Sequence, residues 1–475
     1  MTSRPDLADA LNEVLGVEPG AEDYLAGLTI GEVGVCYEAL LALIDREDRK
    51  SAGQYFTPDD AARFMAEQSA DFDEGVWLDP CCGVGNLSWH LASVQGAPGA
   101  FVRDCLVLID TDEIALRTAV AIISADWADI GDQEAVRSLS ARSKRRDFLS
   151  STKLPAHDYV IVNPPYARTD MRDGFETAPA RDLFAYFLEK VAKSSKGFIS
   201  VTPASYLAAP KFQSLRNVVD SHFNGGRLYA FDNVPDTLFR GYKFGSNNTS
   251  KTNFVRAAIT VCAPTLTAWQ VTPIIRWTSA TRGLMFRECS GLLAPRRKGP
   301  HGEWAKISPG MERIWDDLVA SDETIADLVV NRETSWSLDV GLTPRYYISA
   351  TRRSLDRGSK ATLYFGNEAD RDRAALTLNS SIPYLWWRAL DGGVTLPRRV
   401  LMSTPVPVVR SPQWVLDALW ESERDNLVVK INAGRENENV KHSPMLVEAL
   451  NNLTIPGGHD LRLLYASSMF PLPIY

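Results

Sequence analysis

The chain of 475 residues lacks any apolar run approaching the roughly 20 residues needed to span a bilayer. Its most apolar stretches, 34–44 and 115–125, fall well short of that length, so no membrane partner is expected. The opening MTSRPDLADALNE has no basic-then-apolar secretory signal. The six cysteines (Cys36, Cys81, Cys82, Cys105, Cys262 and Cys289) are irregularly spaced, with neither a disulfide framework nor a paired CxxC metal site. A reducing cytoplasm and no bound metal are therefore expected. There is no internal repeat, no low-complexity tract and no Gly-Lys-Ser/Thr phosphate loop. What is present argues for packed domains: 45 % hydrophobic residues, with 12 Trp, 15 Tyr and 18 Phe that need cores to sit in.

The net charge of −8 conceals an asymmetry. Residues 1–140 hold 8 basic against 26 acidic side chains, whereas the remainder holds 43 basic against 33 acidic. The last two thirds thus have the sign that a polyanion prefers.

Residues 1–50 place apolar residues at helical spacing. From Val76 onward, short apolar runs (VWLD, CLVLID, YVIVN, GFISVTP) alternate with helical patterns (86–94, 113–125, 182–193). Such alternation predicts an α/β fold with a parallel, doubly wound sheet, whose ligand sits beyond the carboxyl ends of the strands. RLYAFDNV and NFVRAAITVC read as further strands. After about Pro264 the rhythm is lost. The expected division is an N-terminal helical segment (1–50), a catalytic domain (51–264) and a mixed C-terminal domain (265–475).

The chemistry-bearing residues follow the strands. The first ends in Asp79-Pro80-Cys81-Cys82-Gly83-Val84-Gly85-Asn86, a strand, a two-glycine turn and a helix that let backbone amides approach a nucleotide-like ligand. The second ends at Asp110-Thr111-Asp112. An acid there commonly accepts from ribose hydroxyls, although Asp112 also suits a helix N-cap. Asp147-Phe148 offers a carboxylate for an exocyclic amine and a ring for a flat heterocycle.

The most specific signal is Asn163-Pro164-Pro165-Tyr166, directly after YVIV. Two prolines remove donors and stiffen the turn, Asn163 and the Pro164 carbonyl supply acceptors, and Tyr166 supplies a flat face. Acceptors beside a stacking ring suit a planar heterocycle bearing an NH2 group. Hydrogen bonds from both N–H groups would favour a pyramidal nitrogen with its lone pair free to attack. Cysteine-based attack on a ring carbon is not favoured, because the one candidate turn, Pro80-Cys81, already belongs to the two-glycine turn after the first strand.

GQYFTP (53–58), DPCCGVGNL (79–87), Asp110, Asp147-Phe148 and NPPY (163–166), in that order, resemble the gamma class of S-adenosylmethionine-dependent adenine-N6 DNA methyltransferases, the TaqI-like group. The resemblance spans about residues 50–262. It implies a Rossmann-like methyltransferase sheet followed by a target-recognition domain. It implies that S-adenosylmethionine contacts Tyr55, Thr57, Pro58, Asp79, Pro80, Cys81, Gly83, Gly85, Asn86, Asp110, Thr111, Asp147, Phe148 and Asn163. It also implies a target base held by Asn163, Pro164, Pro165 and Tyr166, with Phe239 (or Phe244) as the second stacking ring. Cys81 and Val84 depart from the residues usual there.

Double-stranded DNA is the expected partner, with base flipping to bring the amine into the pocket. Between 345 and 410 there are 11 basic residues against 5 acidic, from which Arg345, Arg352, Arg353 and Lys360 are expected to contact phosphates. A separate restriction endonuclease or defence-system subunit would complete a restriction-modification or phage-defence system, whereas an orphan methyltransferase would have neither. N4 of cytosine, RNA, a protein glutamine amide, or a non-catalytic DNA-binding subunit remain open alternatives from the residues alone.

Overall fold

The computed structural model describes residues 4–16, 27–44, 56–239, 243–244, 247–248, 255–407, 412–432, 435–455 and 460–472. The chain divides into two compact units, Met1–Gln270 with Arg276–Ser290, and Val271–Ile275 with Gly291–Tyr475.

In the first unit, seven strands form one sheet: β1 (Trp77–Asp79), β2 (Leu106–Asp110), β3 (Lys144–Arg145), β4 (Tyr159–Val162), β5 (Gly197–Pro203), β6 (Gly226–Phe231) and β7 (Ala257–Cys262). Their order is β6-β7-β5-β4-β1-β2-β3. The pairs β1/β2, β1/β4, β2/β3 and β4/β5 are parallel, and β7 runs antiparallel to both β5 and β6. This is the expected α/β, Rossmann-like sheet with one reversed strand. The near-continuous apolar strands explain why it forms: every residue of β1 and β4 is buried, as parallel strands covered on both faces must be, and so is every residue of the antiparallel β7.

The chain runs outward from β1 through β2 to β3, then returns to β4 on the other side of β1. Right-handed crossovers therefore send the helices of the two wings to opposite faces. Helices Asn86–Ser93, Pro98–Asp104, Glu113–Trp127 and Gln133–Arg142 pack among themselves, and Leu183–Ser194 packs on Gln213–His222. Between β1 and β4 the direction of winding reverses, which opens a crevice at their carboxyl ends.

The two compact units do not coincide with the expected three segments. The N-terminal helices belong to the sheet unit rather than forming a separate segment. Residues 276–290 return to that unit, because the buried Arg282 pairs with Asp60 and donates to the Thr237 and Leu238 carbonyls at 2.8 Å each.

The second unit has a three-stranded antiparallel sheet, with Ser337–Gly341 between Ala350–Thr351 and Lys360–Tyr364. Helix Ile382–Leu390 is buried along its whole length, and Trp386 stacks on Trp315 at 4.8 Å. The IPYLWW run is thus core. A two-stranded ribbon, Leu427–Asn432 with Arg435–Val440, completes the unit.

Candidate active site

Just beyond the ends of β1, β2 and β4 lies a cavity of about 270 Å³. Its floor is the turn after β1. Gly83 (φ +53°) and Gly85 (φ +92°) take backbone conformations that side chains disfavour. A Cβ on Gly85 would lie 2.9 Å from the Ala119 Cβ, so this glycine lets the helix after β1 close onto helix Glu113–Trp127. Gly83 has no such neighbour; it lines the cavity.

Asp79, 1 % exposed, ends β1. Ser88 Oγ donates to its carboxylate at 3.0 Å and the Cys81 amide at 3.4 Å. Burial pushes its carboxyl up to about 7, and the nearby Asp110 charge adds to this. Asp110, at the tip of β2, accepts from the Gly83 amide and the Asp112 amide at 2.8 Å each. Burial raises its pKa as well. Two desolvated carboxylates facing one cavity favour a cationic ligand. Asp112 is the N-cap of helix Glu113–Trp127, accepting from Ile114 and Ala115, and also receives the Tyr37 hydroxyl.

Phe148 and Phe187 give the same cavity a flat aromatic lining. Phe148, 1 % exposed, stacks on Phe187 at 5.2 Å. Beside it, Asp147 accepts from the Leu149 amide at 2.9 Å. From β4, Asn163, Pro164 and Pro165 enter the same cavity. Asn163 Nδ2 donates to Thr57 Oγ1 at 3.0 Å, and its carbonyl accepts from Cys81 Sγ at 3.2 Å. Asn86 Nδ2 donates to the Thr57 carbonyl at 2.5 Å, while its buried Oδ1 has no hydrogen-bond partner among the described residues. Burial raises the Cys81 and Cys82 thiols well above their ordinary range, so neither is an activated nucleophile.

The cavity therefore brings together Thr57, Asp79, Pro80, Cys81, Gly83, Asn86, Asp110, Thr111, Asp147, Phe148, Asn163, Pro164 and Pro165. Pro58 and Gly85 stand behind it, as N-caps of helices Asp59–Glu67 and Asn86–Ser93. Tyr55 lies outside the described residues, as does the side chain of Phe244. Tyr166 donates its hydroxyl to the Val201 carbonyl at 2.8 Å. Its ring meets Phe239 edge-on, with centroids 5.8 Å apart, and Phe239 is 1 % exposed. The expected base sandwich is thus closed here: the two rings touch each other, and the slot between them is too narrow for a third.

Several lining residues carry no motif. Tyr37, Arg146, Arg172, Leu183 and Phe187 also line the cavity, as does Phe56 from the GQYFTP run. Gly34 leaves room for Phe56, since a Cβ there would strike its ring at 2.7 Å.

In the second unit, Lys360 corrects an expectation. Its three ammonium protons go to Asp339 Oδ2, the Leu355 carbonyl and Ser354 Oγ at 2.8, 2.7 and 3.2 Å, leaving none for phosphate. Arg352 and Arg353 are exposed. Arg352 lies over the Trp420 ring, and Arg353 pairs with Glu438 at 3.2 Å. Arg345 is exposed, its carbonyl accepting from Tyr384.

Residues 29–195 match the N-6 DNA Methylase family. That range contains every cavity-lining residue named above. A curated relative, the type II methyltransferase M.VspI of Vibrio sp. (strain 343), is 24 % identical over 163 residues. The match covers 32 % of this chain and 36 % of that protein, so the chain spans about a third of its relative's length. Among solved structures, the DrdV–DNA complex is similar at a TM-score of 0.40 and 16 % identity, over 50 % of this chain and 29 % of that one. The type I restriction-modification methyltransferase subunit from Streptococcus thermophilus is similar at 0.37 and 16 %, over 56 % and 59 %. Among the described residues, no helix is long and apolar enough to cross a membrane.

Proposed function

We propose that this chain transfers a methyl group from S-adenosylmethionine to the N6 amine of adenine in double-stranded DNA, in the manner of the gamma-class enzymes. One observation carries the reading. The Asn163-Pro164-Pro165 turn, the buried Asp79 and the half-buried Asp110 open into one cavity, at the point where the sheet reverses its winding. The match of residues 29–195 supports it.

The residues present suit the cofactor. It is a sulfonium bearing an amino acid and an adenosine, and the cavity offers two desolvated carboxylates, an unsatisfied Asn86 Oδ1 and a flat wall of Phe148. Asp79 and Asn86 would hold the ammonium, Asp110 the ribose hydroxyls, and Asp147 with Phe148 the adenine. When bound, S-adenosylmethionine supplies an electrophilic methyl group. The chain's part is alignment and polarisation. Asn163 and the Pro164 carbonyl accept from the target amine and draw its lone pair out of conjugation. The flipped base takes a place against Tyr166, which the Val201 hydrogen bond holds, while Phe239 withdraws from its edge contact.

The second unit acts as the target-recognition part, with Arg345, Arg352 and Arg353 on phosphates. A separate nuclease or defence subunit is the partner in a restriction-modification setting. The test is mass analysis of nucleosides from duplex DNA treated with the protein and methyl-labelled cofactor. Label in N6-methyladenine supports the reading. Label in N4-methylcytosine, in RNA or in protein overturns it.

A further inference from the structure

Thr57 belongs to neither the turn after β1 nor the turn after β4, yet it is bonded to both. Its carbonyl accepts from Asn86 Nδ2, and its side-chain oxygen accepts from Asn163 Nδ2 at 3.0 Å. Thr57 is 4 % exposed and Asn86 is 5 % exposed, so water does not compete strongly for the bond between them, and the bond to the half-buried Asn163 is part-buried. The residue that precedes Pro58 is therefore clamped at its backbone by the first residue of helix Asn86–Ser93. In turn, it grips the side chain that opens the Asn-Pro-Pro turn.

A carboxamide is planar, with two donors on one corner and an acceptor on the other, and its partners decide which corner faces where. An amine to be methylated must meet the acceptor. Half a turn of the amide would set N–H against N–H, and the polarisation of the lone pair would be lost. We propose that Thr57 is a positioning residue for methyl transfer: its hydroxyl anchors the nitrogen corner of the Asn163 carboxamide, which leaves the oxygen corner for the target amine, and Asn86 holds Thr57 in place. The inference rests on the reading of Asn163 as the amine acceptor. It goes beyond a cofactor-wall role for Thr57, because it assigns the hydroxyl to the target side of the reaction.

The two roles separate in Thr57→Val and Thr57→Ser. Valine keeps the shape and deletes the hydroxyl, while serine keeps the hydroxyl and deletes a methyl group. In Thr57→Val, the dissociation constant for S-adenosylmethionine, measured by calorimetry, should stay within about threefold of wild type. The single-turnover methylation rate should fall by roughly 10- to 100-fold, the loss expected when one hydrogen bond of a part-buried amide is removed. Thr57→Ser should restore the rate to within about threefold of wild type. An independent readout is the Asn163 side-chain amide in a 15N spectrum, assigned by its disappearance in Asn163→Ala. Its hydrogen exchange should quicken roughly tenfold in Thr57→Val and stay at the wild-type rate in Thr57→Ser. The proposal is overturned if Thr57→Val keeps both the rate and the slow exchange, or if Thr57→Ser loses as much as Thr57→Val. Should the wild-type protein leave adenine N6 unmodified while the exchange pattern holds, the anchoring of Asn163 stands and the adenine reading falls.

Discussion

Alanine at Gly83 and at Gly85 adds the same atom two residues apart, and the structure predicts different failures. At Gly85 the backbone sits at φ +92°, and the new Cβ would meet the Ala119 Cβ at 2.9 Å, Ile123 Cδ1 at 3.0 Å and the Ala119 Cα at 3.2 Å. Left-handed backbone costs an alanine about 1–2 kcal/mol, and overpacking against a helix adds about 1–3 kcal/mol. A loss of roughly 2–5 kcal/mol follows, a large share of the roughly 5–15 kcal/mol that holds a typical domain together. At Gly83 the backbone sits at φ +53° and the nearest atom is Phe56 Cε1 at 3.7 Å, so only the backbone cost of about 1–2 kcal/mol applies. Gly83, however, lines the cavity, and a methyl group there competes with the ligand for space. Hydrogen exchange of the β1 and β2 amides reports the first effect, and calorimetric titration with S-adenosylmethionine reports the second. Gly85→Ala should lower the opening free energy of those strands by the larger amount. Gly83→Ala should lower it less but weaken cofactor binding at least tenfold, or about 1.4 kcal/mol. Equal exchange in the two variants, or wild-type cofactor affinity in Gly83→Ala, would refute the reasoning.

Three further outcomes follow from the same geometry. Because the folded-state carboxyl of Asp79 is pushed up to about 7 from its ordinary value, the ligand-free fold binds an extra proton between about pH 4 and 7. Its contribution to stability is thus full at low pH and is lost as the pH rises through 7. Cofactor affinity should run the other way, rising with pH until Asp79 is ionised and flattening above about 7, and Asp79→Asn should abolish that slope in a titration series. Asn163→Ala should leave cofactor affinity within about threefold while lowering the single-turnover rate at least 100-fold, as expected for loss of a group acting on the transition state. Lys360→Met should cost about 1–3 kcal/mol in urea unfolding, because it leaves the buried Asp339 short of a charged partner, and it should leave the salt dependence of DNA binding unchanged.

What could be read in advance followed from strong local constraints. The tips of β1, β2 and β4 were legible because a parallel strand buried on both faces is an apolar run, and its polar terminator stands out: Asp79, Asp110 and Asn163. The helices after β1 and β2 lay within two residues of their expected spans, since a glycine turn or an Asp N-cap marks each start. Residues 1–50 read only as amphipathic helices, so Tyr37 passed unremarked; its bond to Asp112 joins positions 75 residues apart, which no local pattern encodes. That residues 276–290 join the first compact unit is hidden for the same reason, as the return of Arg282 to Asp60 spans 222 residues. Lys360 looked like a phosphate ligand because a lysine in a basic stretch does not announce that Asp339, on the neighbouring strand, already holds it. Tyr166 and Phe239 were identified as rings, but their edge contact depends on the path of the chain after β6.

A crystal structure of the protein with S-adenosylmethionine tests the central claim most directly. The account predicts the ammonium beside Asp79, the ribose beside Asp110, the adenine against Phe148, and the methyl group turned toward Asn163. A donor lodged elsewhere, or seated with its sulfonium facing away from the Asn-Pro-Pro turn, would contradict it.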